Sequence, residues 1–477
     1  MKPRSGENSN PRTSFVRTRL DDLVSSAVKQ GASYCDVRYE RLEYEELQVV
    51  NKTLRSYSSR TGSGTGIRVI MNGSVGFSST NDPSEKGLSE SLEAAIRAAK
   101  SLGPDAPPFT SAKPLTDRVV LPARIDPSDV SPEEKLSLVM DANKAAAVGE
   151  EIRNSSTRMG IEKDYRLFVS SEGSDISTER TLLGLSQSSV ARVNGVMESV
   201  SHGQSKCLGF EFLQSRDWNA FAAEISQLAI DAAKAGSPPA GTYAAVVDPY
   251  TVGIVLHEAF GHASEADGVW TGYSCLTGRL GTEIAGESVT IADQGMIEDG
   301  FVFPYDDEGV KKGKTVVVEK GKLIGFLHDR TSASKLGSEP TGNGRAQDCE
   351  NTTMVRQTNF FMEPGDYTFQ ELLEDIEHGI YIRGKGAGGG QVNSSVGTFT
   401  FGVGPSQMIR KGELAEPVRG VVISGLILET LKTIDAVGKD FQMRTSVFGG
   451  CGKGNQRART GDGGPHIRVH RMTVGGR

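Results

Sequence analysis

Two histidines and a glutamate stand together in His257-Glu258-Ala259-Phe260-Gly261-His262. Two neutral imidazoles beside a carboxylate are what a catalytic zinc requires: nitrogen ligands, and a general base next to the water that the metal activates. The spacing is one residue longer than H-E-x-x-H. On a regular α-helix residues i and i+5 point about 140° apart, so His257 and His262 cannot share an ion there. A π turn, with roughly 4.4 residues per turn, brings them back to within about 50°. The spacing therefore predicts a helix that distorts or ends near Gly261, where a glycine makes distortion cheapest. Ile254, Val255, Leu256, Phe260 and Ala263 are apolar, so this helix is expected to be buried. Buried histidines and a buried carboxylate are costly unless something binds them. A third ligand must come from elsewhere, and Glu265, Asp267, His328, Cys451, His466 and His470 are the candidates. Cys451 lies in Phe448-Gly449-Gly450-Cys451-Gly452-Lys453-Gly454, where the glycines let the chain turn around the sulfur and Lys453 would favour a thiolate.

Other motifs surround this one. GKGAGGGQ (384–391) lacks the G-x-x-x-x-G-K-[ST] spacing of a phosphate cradle. It reads either as a plain loop or as a backbone strip on which an extended peptide adds as a strand, with Gly389, Gly390 and Gln391 as the contacts. Thr341-Gly342-Asn343-Gly344-Arg345 reads as a turn, with Arg345 a candidate contact to a substrate carbonyl or carboxylate. Asp306-Asp307-Glu308-Gly309 reads as a turn or a supporting element rather than a catalytic carboxylate pair. Glu265 and Asp267 are candidates to orient the histidine N–H groups, the alternative being a solvated helix end.

The elements that must position these residues follow from periodicity. Helical stripes cover 16–30, 84–102 and 217–235, and Ser131-Pro132-Glu133-Glu134 starts another helix running to about 148. Hairpins are expected at Asn72-Gly73 and Asn194-Gly195, with short strands over 155–215. A strand at 243–247 should run into Asp248 as N-cap and Pro249 as first helical residue, opening one helix through the histidine motif. Beyond about 280 the pattern is short strands and glycine turns, with one helix near 368–378. The fold class expected is α+β. A disordered leader (1–14) precedes an N-terminal α+β domain with an antiparallel sheet (15–235), then a β-rich C-terminal domain carrying the inserted motif helix (236–477).

The net charge of −7 and the absence of a dense basic stretch exclude an electrostatic footprint for nucleic acid. No run of about 18 apolar residues marks a membrane span, and the polar N-terminus is not a signal peptide. Cys35, Cys207, Cys275, Cys349 and Cys451 are odd in number and scattered, which points to reduced thiols and a cytoplasmic protein.

HEAFGHASEAD (257–267) resembles the H-E-A-x-G-H-x-x-E-x-D signature of the TldD metalloproteases of the TldD/PmbA (TldE) family. DDEG (306–309), PTGNGR (340–345), RQTNFFMEPG (356–365), GGGQVN (388–393), VGKDFQMRTSVFGGCGKGNQ (437–456) and RVHRMTVGG (468–476) agree with it, as do GASYCDVRYE and GIRVIMNGSVGFSS near the start. The likeness covers nearly the whole chain after about residue 15. One departure is Gly454-Asn455, where relatives often have an acidic residue followed by glycine. The resemblance implies a zinc-dependent peptidase acting on unfolded or flexible polypeptides through zinc-activated water. His257, His262 and Cys451 would ligate the zinc, with Glu258 as general base. It also implies a dimer, either with a second copy or with a PmbA/TldE-like subunit that lacks the motif. The alternative is a non-catalytic assembly or regulatory subunit with a structural zinc, which a closed fourth ligand such as His328 or Glu265 would favour.

Overall fold

The structure is a computed structural model that describes residues 11–101 and 109–476. Residues 1–10 of the expected leader lie outside the described residues; the chain is helical from Pro11 to Lys29. Residues 102–108 and 477 lie outside the described residues as well.

The N-terminal half is built on long antiparallel strands. Tyr34–Val50 pairs with Thr53–Met71 on one side and with Ile152–Ser170 on the other. Asp175–Val193 and Val196–Lys206 continue the meander. The hairpins at Asn72-Gly73 and Asn194-Gly195 form as the turn chemistry predicts, with φ of 50° and 75° at the first and 48° and 87° at the second. The strands over 155–215 are not short: two of them run 19 residues. Helices Pro11–Lys29 and Glu85–Ser101 bury Leu20, Leu23, Leu92 and Ile96 against Val37, Ile67 and Val69. Pro132–Ala145, capped by Ser131 as expected, and Trp218–Lys234, capped by Asp217, cover the neighbouring strands.

This sheet does not stop at residue 235. Ser205 pairs with Thr445, and the ladder continues through Gln442–Thr445, Gly461–Gly464, Asn359–Met362, Ile291–Gln294 and Lys314–Glu319. A second sheet of nine strands is built from residue 241 onward. The main C-terminal core joins side chains of both sheets, such as Ile291 and Phe360 with Val247 and Ile423, to Val252, Leu256, Phe260 and Ala263 of the motif helix. The α+β class with a sheet-rich C-terminal region is thus observed. Among the described residues no helix is long and apolar enough to cross a membrane.

The acidic turn Asp306–Gly309 has a role the sequence did not reveal. Asp306 accepts from main-chain N–H groups, while the Asp307 and Glu308 carboxylates are buried against arginines of the N-terminal strands. Arg68 bridges Asp36 (2.5 Å) and Glu308 (2.6 Å), and Arg166 bridges Glu40 (2.8 Å) and Asp307 (2.8 Å). Burial holds the Glu40 carboxyl up at about 7 even with Arg166 beside it. Removing one partner of such a buried group leaves uncompensated charge, which costs about 3–5 kcal/mol. Arg68→Met, which strands Asp36 and Glu308 together, is expected to lower stability by about that amount. A denaturant midpoint equal to that of the native chain would contradict it.

Candidate functional site

Asp248 and Pro249 open the motif helix as read from the sequence, with Asp248 Oδ1 accepting from Thr251 N at 2.8 Å. Pro249–Val255 is α-helical. From Leu256 to Gly261 the chain makes a π turn, closed by the His262 N–H on the His257 carbonyl, and His262–Ser264 tightens into a 3₁₀ turn. Glu265 is extended (φ −73°, ψ 120°), and the chain re-enters a helix over Ala266–Trp270. The motif helix, expected to distort or end near Gly261, is thus α-helix, then a π turn, then a 3₁₀ turn, with a break at Glu265. The distortion lies where the five-residue spacing demands it. Gly261, however, has ordinary helical angles (φ −61°, ψ −47°). Its lack of a Cβ serves clearance, since a methyl there would lie 2.0 Å from Gln357 Oε1.

The π turn brings the two imidazole rings to 5.3 Å between centroids, nearly perpendicular. Cys451, 189 residues after His262, comes up beside them on the hairpin Cys451–Lys453/Gln456–Ala458, with Sγ 3.1 Å from His262 Nε2. Donor atoms of His257, His262 and Cys451 all lie within 4.8 Å of one another. Ligand atoms around a tetrahedral zinc are about 3.3–3.8 Å apart, given metal–ligand bonds of about 2.0–2.3 Å, so the donors need only small shifts, with the sulfur–His262 pair widening slightly. His262 Nδ1 faces Glu265 Oε2 at 3.0 Å. An ionised carboxylate only accepts, so Nδ1 carries a hydrogen; with no metal bound, Glu265 and Cys451 outweigh burial and hold His262 toward imidazolium, and a metal at the cluster would take the place of the Nε2 hydrogen. His257 is buried, and its Nδ1 has no hydrogen-bond partner among the described residues. One nitrogen from each histidine and the sulfur form a donor set that suits zinc, and the unpartnered His257 Nδ1 shows an imidazole that no protein group among the described residues satisfies fully.

The electrostatics agree with that chemistry. Burial pushes the Cys451 thiol up, but His257 and His262 outweigh it and hold it at about 4, in the thiolate range. Burial would also raise Glu265, yet Lys453 and then His262 pull it down to about 2. Lys453 acts on the carboxylates rather than on the sulfur as read from the sequence. Its Nζ donates to Glu265 Oε2 (2.8 Å) and to both Asp267 oxygens (2.8 and 2.7 Å). Glu265 thus stands where it orients His262, and Asp267 reaches the histidine only through Lys453 and Glu265. Glu258 points outward: its side chain is 40% exposed, and Oε2 lies 3.9 Å from His262 Nε2.

The other candidates for a third donor are engaged elsewhere. His328 faces Ser332 (3.4 Å), His466 sits between Tyr381 and Asp440, and His470 pairs with Asp435. Arg345 is buried, and its guanidinium donates to the carbonyls of Gln357 and Arg459 (2.6 Å each). It braces main chain, and those two donors are not free for a substrate carbonyl. Gly389–Asn393 forms a strand at the edge of the nine-stranded sheet, paired among the described residues only with Thr398–Gly402, and it packs against the π turn. Gly389, Gly390 and Gln391 are exposed there.

Sequence reasoning missed a buried polar network behind the site. Lys312 Nζ pairs with Asp293 (3.0 Å), whose Oδ2 accepts from Asn343 Nδ2 (2.7 Å) and whose Oδ1 accepts from Thr358 N (2.8 Å). Asn343 Nδ2 also donates to Arg356 O (2.8 Å). Asn343, Arg356 and Thr358 lie in the PTGNGR and RQTNFF stretches, whereas Lys312 and Asp293 come from elsewhere in the chain.

Comparison with known proteins bears on this geometry. Family models match residues 35–102 (PmbA/TldA metallopeptidase domain 1), 125–233 (central domain) and 240–476 (C-terminal domain). A protein named metalloprotease from Methanothermobacter thermautotrophicus is 38% identical, over 94% of this chain and 97% of its own length. A zinc metalloprotease TldD homolog from Saccharolobus solfataricus is 32% identical, over 95% and 99%. The crystal structure of TldE from Thermococcus kodakarensis shares the fold, with a TM-score of 0.77 at 19% identity over 96% of this chain and all of that one. The chain belongs to the PmbA/TldD family of metallopeptidases.

Proposed function

We propose that this chain is a zinc-dependent peptidase that hydrolyses unfolded or flexible polypeptides, with zinc held by His257, His262 and Cys451 and with Glu258 as general base. The convergence of those three donors at a π turn carries the reading. Zinc, when bound, would lower the pKa of water toward about 7 and polarise the scissile carbonyl. Glu258, beside the donors and open to solvent, accepts the proton of the attacking water and returns it to the leaving nitrogen. Glu265 fixes the His262 ring, and Lys453 keeps Glu265 and Asp267 together despite their like charge. The exposed edge strand Gly389–Asn393 offers main-chain groups on which an extended peptide adds as a strand, beside the turn that carries Glu258.

A structural zinc needs a closed fourth ligand. Glu265 is held by His262 and Lys453, and His328 faces Ser332, so neither completes the set; this supports a catalytic site over an assembly subunit. Five unpaired cysteines suit a reducing cytoplasm. Pairing with a second copy or a PmbA/TldE-like subunit completes the proposal, and native mass measurement of the chain alone and mixed with such a subunit reads it. For activity, purified protein, alone and with that subunit, is expected to contain zinc and to cleave casein. A chelator is expected to abolish cleavage and added zinc to restore it. Zinc present with no cleavage under either condition would support the structural-zinc reading instead.

A further inference from the structure

We infer that Gln357 is a positioning residue for this centre: it sets the π turn that brings His257 and His262 to one side. The inference rests on the zinc reading above and adds what prepares the donors before the metal arrives.

Gln357 is fully buried and lies 100 residues from His257. Its Nε2 donates to the His257 carbonyl at 3.0 Å, the same carbonyl that accepts the His262 N–H across the turn. A side chain inserted into the hydrogen-bond ladder is one of the identifiable causes of a helix distortion. The amide fills the space beside Gly261, where a Cβ would meet Oε1 at 2.0 Å, Cδ at 2.4 Å and Nε2 at 2.8 Å. The Gln357 main-chain N–H donates to Glu265 Oε1 (3.2 Å), and Glu265 Oε2 holds His262 Nδ1. One residue therefore grips the main chain under the first imidazole and the carboxylate behind the second.

Its two predecessors do the same for the thiol. Arg356 Nη2 donates to the Cys451 carbonyl (2.5 Å), and the Val355 carbonyl accepts from Lys453 Nζ (3.0 Å). Three consecutive residues thus touch both pieces of chain that must meet, the π turn and the cysteine hairpin. Asn343 anchors this clamp: its carbonyl accepts from Arg356 N (2.8 Å), and its amide donates to Arg356 O. Such a supporting shell holds ligands near productive geometry without help from the ion.

The test uses full-length protein and zinc or cobalt(II). Gln357→Met keeps length and burial but removes the donor. It is expected to weaken zinc binding about 10–100-fold in competition with a chelator. It is also expected to shift the thiolate charge-transfer and d–d bands of the cobalt form, while the metal-free protein melts within a few degrees of wild type. Gly261→Ala pushes a methyl into the amide and should weaken binding as well. Gly261→Ala and Gln357→Ala disturb the same contact, so the loss in the double variant should be smaller than the sum of the two single losses. Wild-type affinity and an unchanged cobalt spectrum in Gln357→Met would overturn the inference and leave the zinc reading standing, as would strictly additive losses in the double variant. Wild-type protein that takes up no zinc, or a Cys451→Ser variant that binds it undiminished, would remove the zinc reading and this inference together.

Discussion

Replacing Glu258 with glutamine is expected to leave zinc content unchanged while lowering peptide hydrolysis by roughly 10²–10⁴-fold. Glutamine keeps the shape of the side chain but cannot accept a proton. Glu258 lies between the two histidines in sequence, yet it turns furthest to solvent, 40% exposed against 14% for His262, while His257 is buried. Its nearest carboxylate oxygen is 3.9 Å from His262 Nε2, alongside the donor cluster rather than within it. Metal content and turnover should therefore separate at this residue and at none of the three donors. Elemental analysis beside casein cleavage reads both, and full activity in the glutamine variant would remove Glu258 as the base.

Cys451→Ser is expected to lose zinc by more than the roughly 10–100-fold that outer partners cost, and with it activity. Neighbouring imidazoles hold the sulfur as a thiolate at neutral pH, whereas a serine hydroxyl in the same place stays protonated and binds zinc poorly. The cysteine is also the only donor on the hairpin, so its loss leaves two histidines on one helical turn. Serine at Cys35, Cys207, Cys275 or Cys349, none of which is in the donor cluster, should leave zinc content unchanged. Zinc retained in Cys451→Ser at wild-type affinity would contradict the ligand assignment.

What could be read from the sequence divides along the range of the forces involved. Local chemistry was legible. Asp248 and Pro249 cap the motif helix, Ser131 caps another, and the asparagine–glycine pairs turn the hairpins. The need for a distorted turn followed from counting five residues against the helical period. The cause of that turn did not. Gly261 looked like a point of backbone freedom, but its angles are ordinary, and what occupies the space where its Cβ would lie is an amide 96 positions later in the chain. Cys451 stayed one of six candidate third ligands until the family likeness singled it out, because no periodicity connects residues 189 positions apart. Arg345 looked like a substrate contact, since a charged residue after a glycine turn is usually exposed; tertiary packing buried it on main-chain carbonyls. The acidic turn at 306–309 hid its partners for the same reason, as Arg68 and Arg166 come from another part of the sheet. Long strands were read as short ones where glycines such as Gly160 and Gly184 interrupt the alternation. Both glycines sit inside continuous ladders, where a Cβ at Gly184 would meet the facing strand and one at Gly160 would meet Val447 and Phe448.

The central claim, that two histidines and a distant cysteine form an open zinc site at a π turn, is tested most directly by zinc X-ray absorption on the purified protein. The account predicts two nitrogen neighbours at about 2.0–2.1 Å, one sulfur at about 2.3 Å and a remaining oxygen at about 2.0–2.2 Å, with the sulfur shell lost in Cys451→Ser. A zinc environment without sulfur, or with a sulfur shell that survives Cys451→Ser, would contradict it.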